Sequence, residues 1–565
     1  IEYYPGNFPV RYGGALSGVV NVTSRTDKVE QWAGEADVNL INSSIYLEGP
    51  VTDKGSLRLG ARRSYVDLVI LAALEAAGET STVVAPIFWD YQAELAYNLD
   101  DRNRLGLLFL GSQDILKLVT TAEEEDEPDI DLSVKTNFHR AISSWRYAEE
   151  DFSLLLQPYL GWDNFSFGAA NANMDAHIFT AASRQELKWK INDSFKLLAG
   201  FEGGAAYVDF LGEVPMPKNY YQPGSNVTGD HRKQMGEPQK LEMNDIYWAM
   251  GSYAQMVIEP VGRLQLTPGF RFALWHNPSK TIPMWDPRLV VRQGLHDDFA
   301  LKGGVGKFSQ APDPQFTNED HGNPELDEPW SMHYSGGVEW RITDTIELDL
   351  IGFYVTSHDL IVQSSEVEVT DEGTKPVVAK NDGRGESYGM ELMLRHRATK
   401  RFYGWLAYTL SRSQLSSNAG NMGPDEEPSS AGDDLELSPF DQTHILSLVG
   451  SVRLGRGWET GLRIRLVSGN PTTPIDQGIF VGDSGMYQPI SGAFQSDRLP
   501  AFFQMDLRVE KLWTYETWQL AAYVDVMNVT NQANTEFISW DYRFNDSWNV
   551  PGIPLFPSLG INGRF

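Results

Sequence analysis

Several features that mark common protein classes are missing from this 565-residue sequence. It contains no cysteine, which excludes a disulfide framework, a thiolate metal site and a cysteine nucleophile. Basic residues are scarce, with 46 Lys and Arg against 76 Asp and Glu, and the net charge of −30 argues against a nucleic-acid-binding protein. The apolar run 66–77 is broken by Asp67 and Glu75, so no stretch reaches the roughly 18 apolar residues of a membrane helix.

Signatures of targeting and catalysis are missing as well. The first residues, IEYYPGNFPV, have no basic start followed by an apolar core, so we expect any signal peptide to have been removed. The ten histidines form no HExxH motif, and no GxSxG motif occurs, so we predict no catalytic residue, no cofactor and no enzyme. Residues 123–131 contain seven acids that could bind a divalent cation, but they lack the spacing of a calcium loop. A solvated outer loop is the favoured interpretation, and we predict no metal site.

What the sequence does contain is apolar–polar alternation with a period of two. In 346–350, the apolar Ile346, Leu348 and Leu350 alternate with Glu347 and Asp349. The same pattern recurs in 388–395, 459–466 and 503–510. Alternation of this kind is typical of half-buried β-strands, and both a soluble sandwich and a transmembrane barrel have it.

The connections between strands favour the barrel. Short polar turns recur at 51–56, 99–103, 148–151, 191–194, 260–262, 295–298, 342–345, 397–400, 454–457 and 513–517. Long irregular stretches lie between them, among others at 208–245, 310–331, 413–440, 469–499 and 529–556. Short turns at one rim and long loops at the other predict an all-β, antiparallel transmembrane barrel of about 22 strands, with long extracellular loops and short periplasmic turns. Both termini then lie on the short-turn side. A β-propeller is the alternative, but no repeat of blade length occurs.

Aromatic residues and the C-terminus agree with a barrel in the bacterial outer membrane. Rings such as Trp189, Trp340 and Trp458 flank the short turns, as expected at a membrane–water interface. The chain ends PSLGINGRF, in which Leu559, Ile561 and Phe565 alternate, and a terminal Phe in such a strand resembles the C-terminal signal read by the outer-membrane insertion machinery. One segment departs from the pattern: residues 64–79 have apolar residues at helical spacing and predict a helix in a long loop.

Four segments resemble TonB-dependent outer-membrane receptors. PVRYGGALSGVVNVTSR (9–25) is similar to the end of the receptor plug, with Arg11, Tyr12, Gly13, Gly14, Ser17, Gly18 and Asn21 as the matching motif. GRGESYGMELMLRH (383–396), PFDQTHILSLVGSVRLGRGWETGLRIRLVSGNPTTP (439–474) and RLPAFFQMDLRVEKLW (498–513) followed by YVDVMNVTNQANT (523–535) are similar to barrel strands of that family. The resemblance is nearest to the Oar-like branch.

The resemblance implies two parts and a function. Residues 1–27 would be the C-terminal remnant of the plug and 28–565 the barrel, in contact with outer-membrane lipid and lipopolysaccharide. The remainder of the plug would be cleaved off, encoded separately or missing from the sequence. The barrel would bind a scarce extracellular solute and pass it to the periplasm, driven by TonB–ExbB–ExbD where an intact plug exists. The alternatives are a structural platform with a separate plug or a surface lipoprotein as partner, and an open diffusion pore.

Aromatic residues in the long stretches are the candidate contacts for a ligand or partner. Exposed rings next to Asn, Asp and Gly can bind either, although they can also pack loop against loop. The candidates are Tyr220, Tyr221, Trp330, Tyr487, Phe494, Trp540, Tyr542 and Trp548.

Overall fold

The computed structural model describes most of the chain. It describes residues 1–565 except 26–27, 70–81, 121–130, 170–171, 215–238, 319–321, 364–366, 371–372, 377–378, 417–434 and 483–485. Among the described residues, no helix combines the length and the apolar character needed to cross a bilayer. Of the predicted helix 64–79, residues 66–69 are helical and 70–79 lie outside the described residues.

Twenty-two antiparallel strands form one closed barrel, which confirms the predicted fold class and strand number. In chain order they are β1 (Ala33–Asn39), β2 (Asn42–Thr52), β3 (Gly55–Ser64), β4 (Thr82–Asn98), β5 (Asn103–Thr120), β6 (Asp131–Ala148), β7 (Phe152–Ala169), β8 (Ala172–Asn192), β9 (Phe195–Val214), β10 (Gln239–Ile258), β11 (Leu264–His276), β12 (Thr281–His296), β13 (Phe299–Ser309), β14 (Trp330–Arg341), β15 (Ile346–Gln363), β16 (Ala379–His396), β17 (Phe402–Ser416), β18 (His444–Gly455), β19 (Trp458–Val467), β20 (Phe502–Thr514), β21 (Gln519–Met527) and β22 (Phe556–Arg564). Each strand pairs with its neighbours in sequence. A three-residue strand, Leu435–Leu437, extends the edge of β17.

The barrel closes where the first strand meets the last. Residues 35–39 of β1 pair with residues 560–564 of β22, from Glu35–Arg564 to Asn39–Gly560. The backbones of Gly34 and Phe565 exchange two further hydrogen bonds, at 3.1 and 3.0 Å. Closure matters because a sheet in lipid cannot leave an unpaired edge.

All ten predicted short turns join consecutive strands at one rim. The opposite rim carries the long connections, yet two of the described connections there are tight: residues 40–41 and 277–280. Each of these two turns is held by an asparagine side chain. Asn39 Oδ1 accepts from the amides of Ile41 and Asn42 at 2.8 and 3.0 Å, and Asn277 does the same for residues 279 and 280. An Asn side chain that accepts from the backbone amides two and three residues later stabilises a tight turn.

The two faces of the wall differ in polarity. On β11, Phe270 and Phe272 are 50% and 40% exposed on the outer face, whereas Arg271 between them is buried on the inner face. The aromatic rings predicted beside the short turns are also on the outside, with Trp189, Trp340 and Trp458 close to half exposed. The barrel therefore presents apolar side chains to lipid and charged side chains to its lumen.

Candidate functional site

The N-terminal residues lie inside the barrel. Residues 1–25, here called the lumen segment, begin with Glu2–Tyr4, which pairs with Val19–Asn21. Between these two strands the chain touches the inner face of the wall, where Phe8 and Val10 are each 1% exposed. The segment then crosses toward β2 and β3, where Arg25 approaches Glu48 at 4.0 Å and the amide of Val29, just beyond the segment, donates to Ser56 Oγ at 3.1 Å.

Arg288 on β12 is the main anchor of the lumen segment. Its Nη1 donates to the backbone oxygens of Phe8, Pro9 and Tyr12 at 2.9, 2.8 and 2.9 Å. The guanidinium also lies over the Phe8 ring at 4.7 Å, within cation–π distance. Asp286, two residues earlier on the same face, accepts from Arg288 at 3.2 Å and balances its buried charge.

A second anchor holds the stretch around Arg11. The Arg11 side chain forms a 2.7 Å ion pair with Glu186 of β8, which also accepts from the Tyr253 hydroxyl at 3.2 Å. Arg184 Nη2 donates to the Arg11 backbone oxygen at 2.5 Å. Arg271 of β11 pairs with Glu202 of β9 immediately beside the segment. These contacts join the segment to β8, and the bonds among Glu186, Tyr253, Arg271 and Glu202 brace the neighbouring strands β8 to β11 behind it.

The remaining contacts come from β13 and β14. Asn7 Nδ2 donates to Ser335 Oγ at 2.7 Å, and the Leu16 backbone oxygen lies 2.8 Å from Ser331 Oγ and 2.7 Å from His333 Nε2. Phe8 packs on Phe308 with ring centroids 4.4 Å apart. The wall that binds the lumen segment therefore lies between β8 and β14, with direct contacts from β8 and from β11 to β14.

The motif 11–21 predicted as the plug end lies in this segment, and close packing explains two of its glycines. A Cβ on Gly13 would lie 2.0 Å from Arg271 Nε, and a Cβ on Gly18 would lie 2.7 Å from the Tyr4 backbone oxygen. Gly14 has φ of +71°, a conformation that favours glycine. The other motif residues differ in role. Arg11 is ion-paired, and Asn21 forms a 2.9 Å hydrogen bond with Glu2. Burial raises the pKa of Tyr12, whereas Ser17 is exposed.

Below the segment, toward the short-turn rim, lies a cavity of about 930 Å³ bounded by Tyr3 and Pro5. Its wall carries charges that pair from strand to strand. Lys302 lies 3.5 Å from Glu339 and 2.5 Å from Asp349, and Arg292 bonds to Glu339 at 2.9 Å. These four inward charges therefore neutralise one another across neighbouring strands.

The aromatic candidates of the outer loops fall into three groups. Tyr487, Phe494, Trp540, Tyr542 and Trp548 belong to the loops that follow β19 and β21. Trp330 is instead the first residue of β14, where its Nε1 donates to Asp359 at 2.7 Å and its ring stacks on His358. Tyr220 and Tyr221 lie outside the described residues, as do residues 123–130 of the acidic stretch. In the part of the chain that the structure describes, no group of three or more His, Asp or Glu is placed to hold a metal ion.

Two of the loops pack together above the barrel. A β-ribbon of Ile475–Val481 and Met486–Ser491 lies beside a ribbon of Thr535–Trp540 and Ser547–Pro551. The Tyr487 and Tyr542 rings meet edge to face at 6.0 Å, and a Cβ on Gly478 would lie 1.9 Å from the Arg543 backbone oxygen. Trp548 and Phe480 remain more than half exposed. We call this pair the loop ribbons.

The residues of the C-terminal motif face lipid. Leu559, Ile561 and Phe565 are 58%, 57% and 62% exposed on the outer face of the closing strand. Their role as an insertion signal stays a prediction, since these positions also suit simple contact with lipid.

The wall residues that hold the lumen segment were missed by sequence reasoning. Arg288, Arg271 and His333 lie on the polar face of alternating strands, as dozens of other side chains do. Their only local signal is the recurrence of charge at i and i+2, as in Asp286 and Arg288. Nothing in the sequence near them indicates contact with residues about 280 positions away.

A closed barrel of 22 strands, apolar outside and crossed inside by its own N-terminal segment, defines a large outer-membrane β-barrel. The family model described as TonB dependent receptor-like, beta-barrel matches residues 89–529. The chain therefore belongs to the TonB-dependent receptors, and its location is the bacterial outer membrane, as predicted. The family model begins after the lumen segment.

Solved structures have the same fold. The ferripyoverdine receptor of Pseudomonas aeruginosa, bound to ferripyoverdine, is 12% identical with a TM-score of 0.71, over 98% of this chain and 74% of the receptor. The outer membrane transporter YddB of Escherichia coli is 12% identical with a TM-score of 0.71, over 100% and 84%. The ferric yersiniabactin uptake receptor FyuA of Yersinia pestis is 14% identical with a TM-score of 0.66, over 96% and 81%. Among curated proteins, no match to this chain was found.

Proposed function

We propose that this receptor takes up a scarce extracellular solute and releases it to the periplasm, with energy from the inner membrane delivered through TonB, ExbB and ExbD. The observation that carries the proposal is the anchored lumen segment. A segment held by the wall residues Arg288, Glu186 and His333 obstructs part of the lumen, so free diffusion through a 22-stranded barrel is not the expected mode of transport.

Within this proposal, residues 1–27 are the end of the plug and 28–565 the barrel. The first barrel strand begins at Ala33, and the residues before it bind the inner wall, which supports a division near this point. The barrel wall from β8 to β14 then acts as the receptor for the plug end. A separate plug protein remains compatible with the same wall.

The loop ribbons are the proposed first contact for the solute. Tyr542, Phe480 and Trp548 are more than half exposed on ribbons fixed by their mutual packing. Exposed rings on a rigid support lose little entropy on binding. The ferric siderophores named for two of the similar structures make iron chelates the first solutes to test.

The proposal is tested by growth and uptake in a strain with the intact gene, without it, or with a Trp548→Ala variant. Ferric siderophores are supplied as the only iron source, followed by cobalamin, glycans and peptides in parallel cultures. Import predicts loss of growth on one solute without the gene, and reduced uptake of that solute in the loop variant. Unchanged growth on every solute would contradict import.

The second candidate, a structural platform, is favoured by the exposed rings of the same ribbons. It predicts a protein partner present in equal amount after purification in mild detergent, which the Trp548→Ala variant loses. An open pore predicts large ohmic conductance in a planar bilayer, and a blocked barrel argues against it.

A further inference from the structure

Two neighbouring short turns differ in charge from the others. Turns 397–400 and 454–457 join β16 to β17 and β18 to β19, and they contain three cations and no acid. The other eight short turns contain eleven acids and two cations. The two basic turns lie side by side, since the amide of Arg453 donates to the backbone oxygen of Arg401 at 2.8 Å. The short-turn rim, which faces the periplasm, is therefore basic over one arc and acidic over most of the remainder.

Three cations of the basic arc have no carboxylate partner among the described residues. Lys400, Arg401 and Arg456 are exposed, and none of them forms an ion pair with a residue that the structure describes. Their neighbour Arg453 differs, because its side chain lies 3.3 Å from Glu459. We call Lys400, Arg401 and Arg456 the basic tips.

Three cations of the acidic side of the rim are instead paired with carboxylates. The pairs are Arg102–Glu149 at 3.1 Å, Lys196–Glu259 at 3.2 Å and Arg341–Asp298 at 3.3 Å. A cation that already has an acidic partner attracts a further anion less strongly than a cation without one. The basic tips are therefore the stronger site for an added anion.

Aromatic rings place the basic tips at the depth of the lipid headgroups. Phe402 directly follows Arg401, Trp458 lies two residues after Arg456, and the two aromatic residues are 39% and 46% exposed on the outer face. Lys511 of β20 lies opposite Trp458 in the sheet, and its ammonium is 5.4 Å from the centre of that ring. Lys511 Nζ also donates to the backbone oxygen of Arg456, so the basic arc continues onto the lipid-facing wall. Exposed rings on that wall mark the membrane–water boundary, where lipid phosphates lie.

We propose that the basic tips and Lys511 bind the phosphate of anionic phospholipids in the periplasmic leaflet. Lysine and arginine next to an anionic lipid surface are attracted to it, and a guanidinium can donate two parallel hydrogen bonds to one phosphate. The acidic turns of the remaining rim repel the same headgroups, so the bound lipid is confined to the arc from β16 to β20.

The position of Lys511 favours a lipid over an acidic protein of the periplasm as the occupant. Its ammonium lies between the outer-face rings of Trp458 and Trp513, at 5.4 and 5.8 Å from their centres. A protein that binds the rim from the periplasm would not reach this lipid-facing position. The lipid site does not depend on solute import, and either proposal can fail without the other.

Native mass spectrometry of the full chain in a non-ionic detergent can measure this binding. Phosphatidylglycerol is titrated against the wild type and against a triple variant with Lys400→Gln, Arg401→Gln and Arg456→Asn. Asparagine is used at position 456 because this residue has φ of +53°, which Asn tolerates. We expect the triple variant to bind phosphatidylglycerol on the order of 100-fold more weakly, and the wild type to prefer it to phosphatidylcholine.

The matched control is a second triple variant with the same change in net charge. It carries Arg102→Gln, Lys196→Gln and Arg341→Gln, which remove paired cations from the acidic side of the rim. Its affinity for phosphatidylglycerol should stay close to the wild-type value. An equal loss in both triple variants would show an effect of net charge alone and would overturn the site. Equal binding of the two lipids by the wild type would overturn it as well.

A measurement on the wild type covers the case in which the first triple variant fails to assemble. Phosphatidylglycerol with a photoreactive headgroup is incorporated into vesicles that contain the receptor, and the cross-linked peptides are identified. We expect cross-links in 395–402 and 452–458 that sodium chloride suppresses, because salt screens exposed charges. Cross-links spread evenly over all ten short turns would contradict the basic arc. An acidic periplasmic protein bound by the basic tips, without any lipid preference, would overturn the lipid assignment.

Discussion

At the scale of single residues, docking of the lumen segment depends on a buried arginine. Arg288 satisfies three backbone oxygens of the lumen segment and shares a buried ion pair with Asp286. Removing one member of a buried pair is costly, since the other charge is left without its partner.

Replacing Arg288 by Met should therefore release the lumen segment. We expect a loss on the order of 3–5 kcal/mol in the stability of the docked segment, and faster proteolysis within residues 5–20 while the barrel stays intact. Limited proteolysis in detergent, followed by mass spectrometry, measures this. Arg292→Met is the matched control. Arg292 lies on the same strand and face as Arg288, but it pairs with Glu339 of β14 and not with the segment. Equal cleavage in both variants would argue against the anchor.

At the scale of elements, the structure separates what a local pattern can predict from what it cannot. The ten short turns and the period-two strands were predictable, since turn chemistry and alternation both depend on residues that are close together in the sequence. The tight turns at Asn39 and Asn277 were harder to predict, because each is stabilised by the hydrogen bonds of a single Asn side chain. The binding of Phe8 and Val10 to distant strands leaves no local trace in the sequence.

The packing of the loop ribbons gives a prediction at this scale. A valine at Gly478 would place its Cβ against the Arg543 backbone oxygen, so Gly478→Val should separate the ribbons at a cost of about 1–3 kcal/mol. Hydrogen exchange of residues 535–551 should increase. Gly482→Val is the control, because no atom of the described residues lies within 4 Å of its Cβ position. Unchanged exchange in Gly478→Val would show that the ribbons do not support each other.

At the scale of the whole molecule, the closure between β1 and β22 is short, with five paired positions. Side chains inside the lumen reinforce it. The Tyr523 hydroxyl donates to Asp37 at 2.9 Å, and Asn562 Nδ2 donates to Glu35 at 2.7 Å. These bonds join the last two strands to the first and compensate for the short ladder.

Removing the Tyr523 hydroxyl should weaken the closed barrel. Tyr523→Phe leaves a half-buried carboxylate without one donor, and we expect a loss of about 1–3 kcal/mol. The temperature at which the folded band converts to the unfolded band in a detergent gel measures it. Tyr46→Phe, which removes a bond to Glu48 within one strand, should lower that temperature less. An equal fall in that temperature for both variants would show that the Tyr523 bond contributes no more to barrel stability than a bond within one strand.

The most direct test of the account asks whether the lumen segment is bound to the wall in the assembled outer membrane. A Cβ on Gly269 of β11 would lie 2.6 Å from Val10 Cγ1, close enough for a disulfide between Val10→Cys and Gly269→Cys in an otherwise cysteine-free chain. We predict that oxidised membranes yield the 10–269 cross-linked peptide in most molecules, and that either single variant yields none. Free thiols at both positions in a folded barrel would contradict the docked segment and the function built on it.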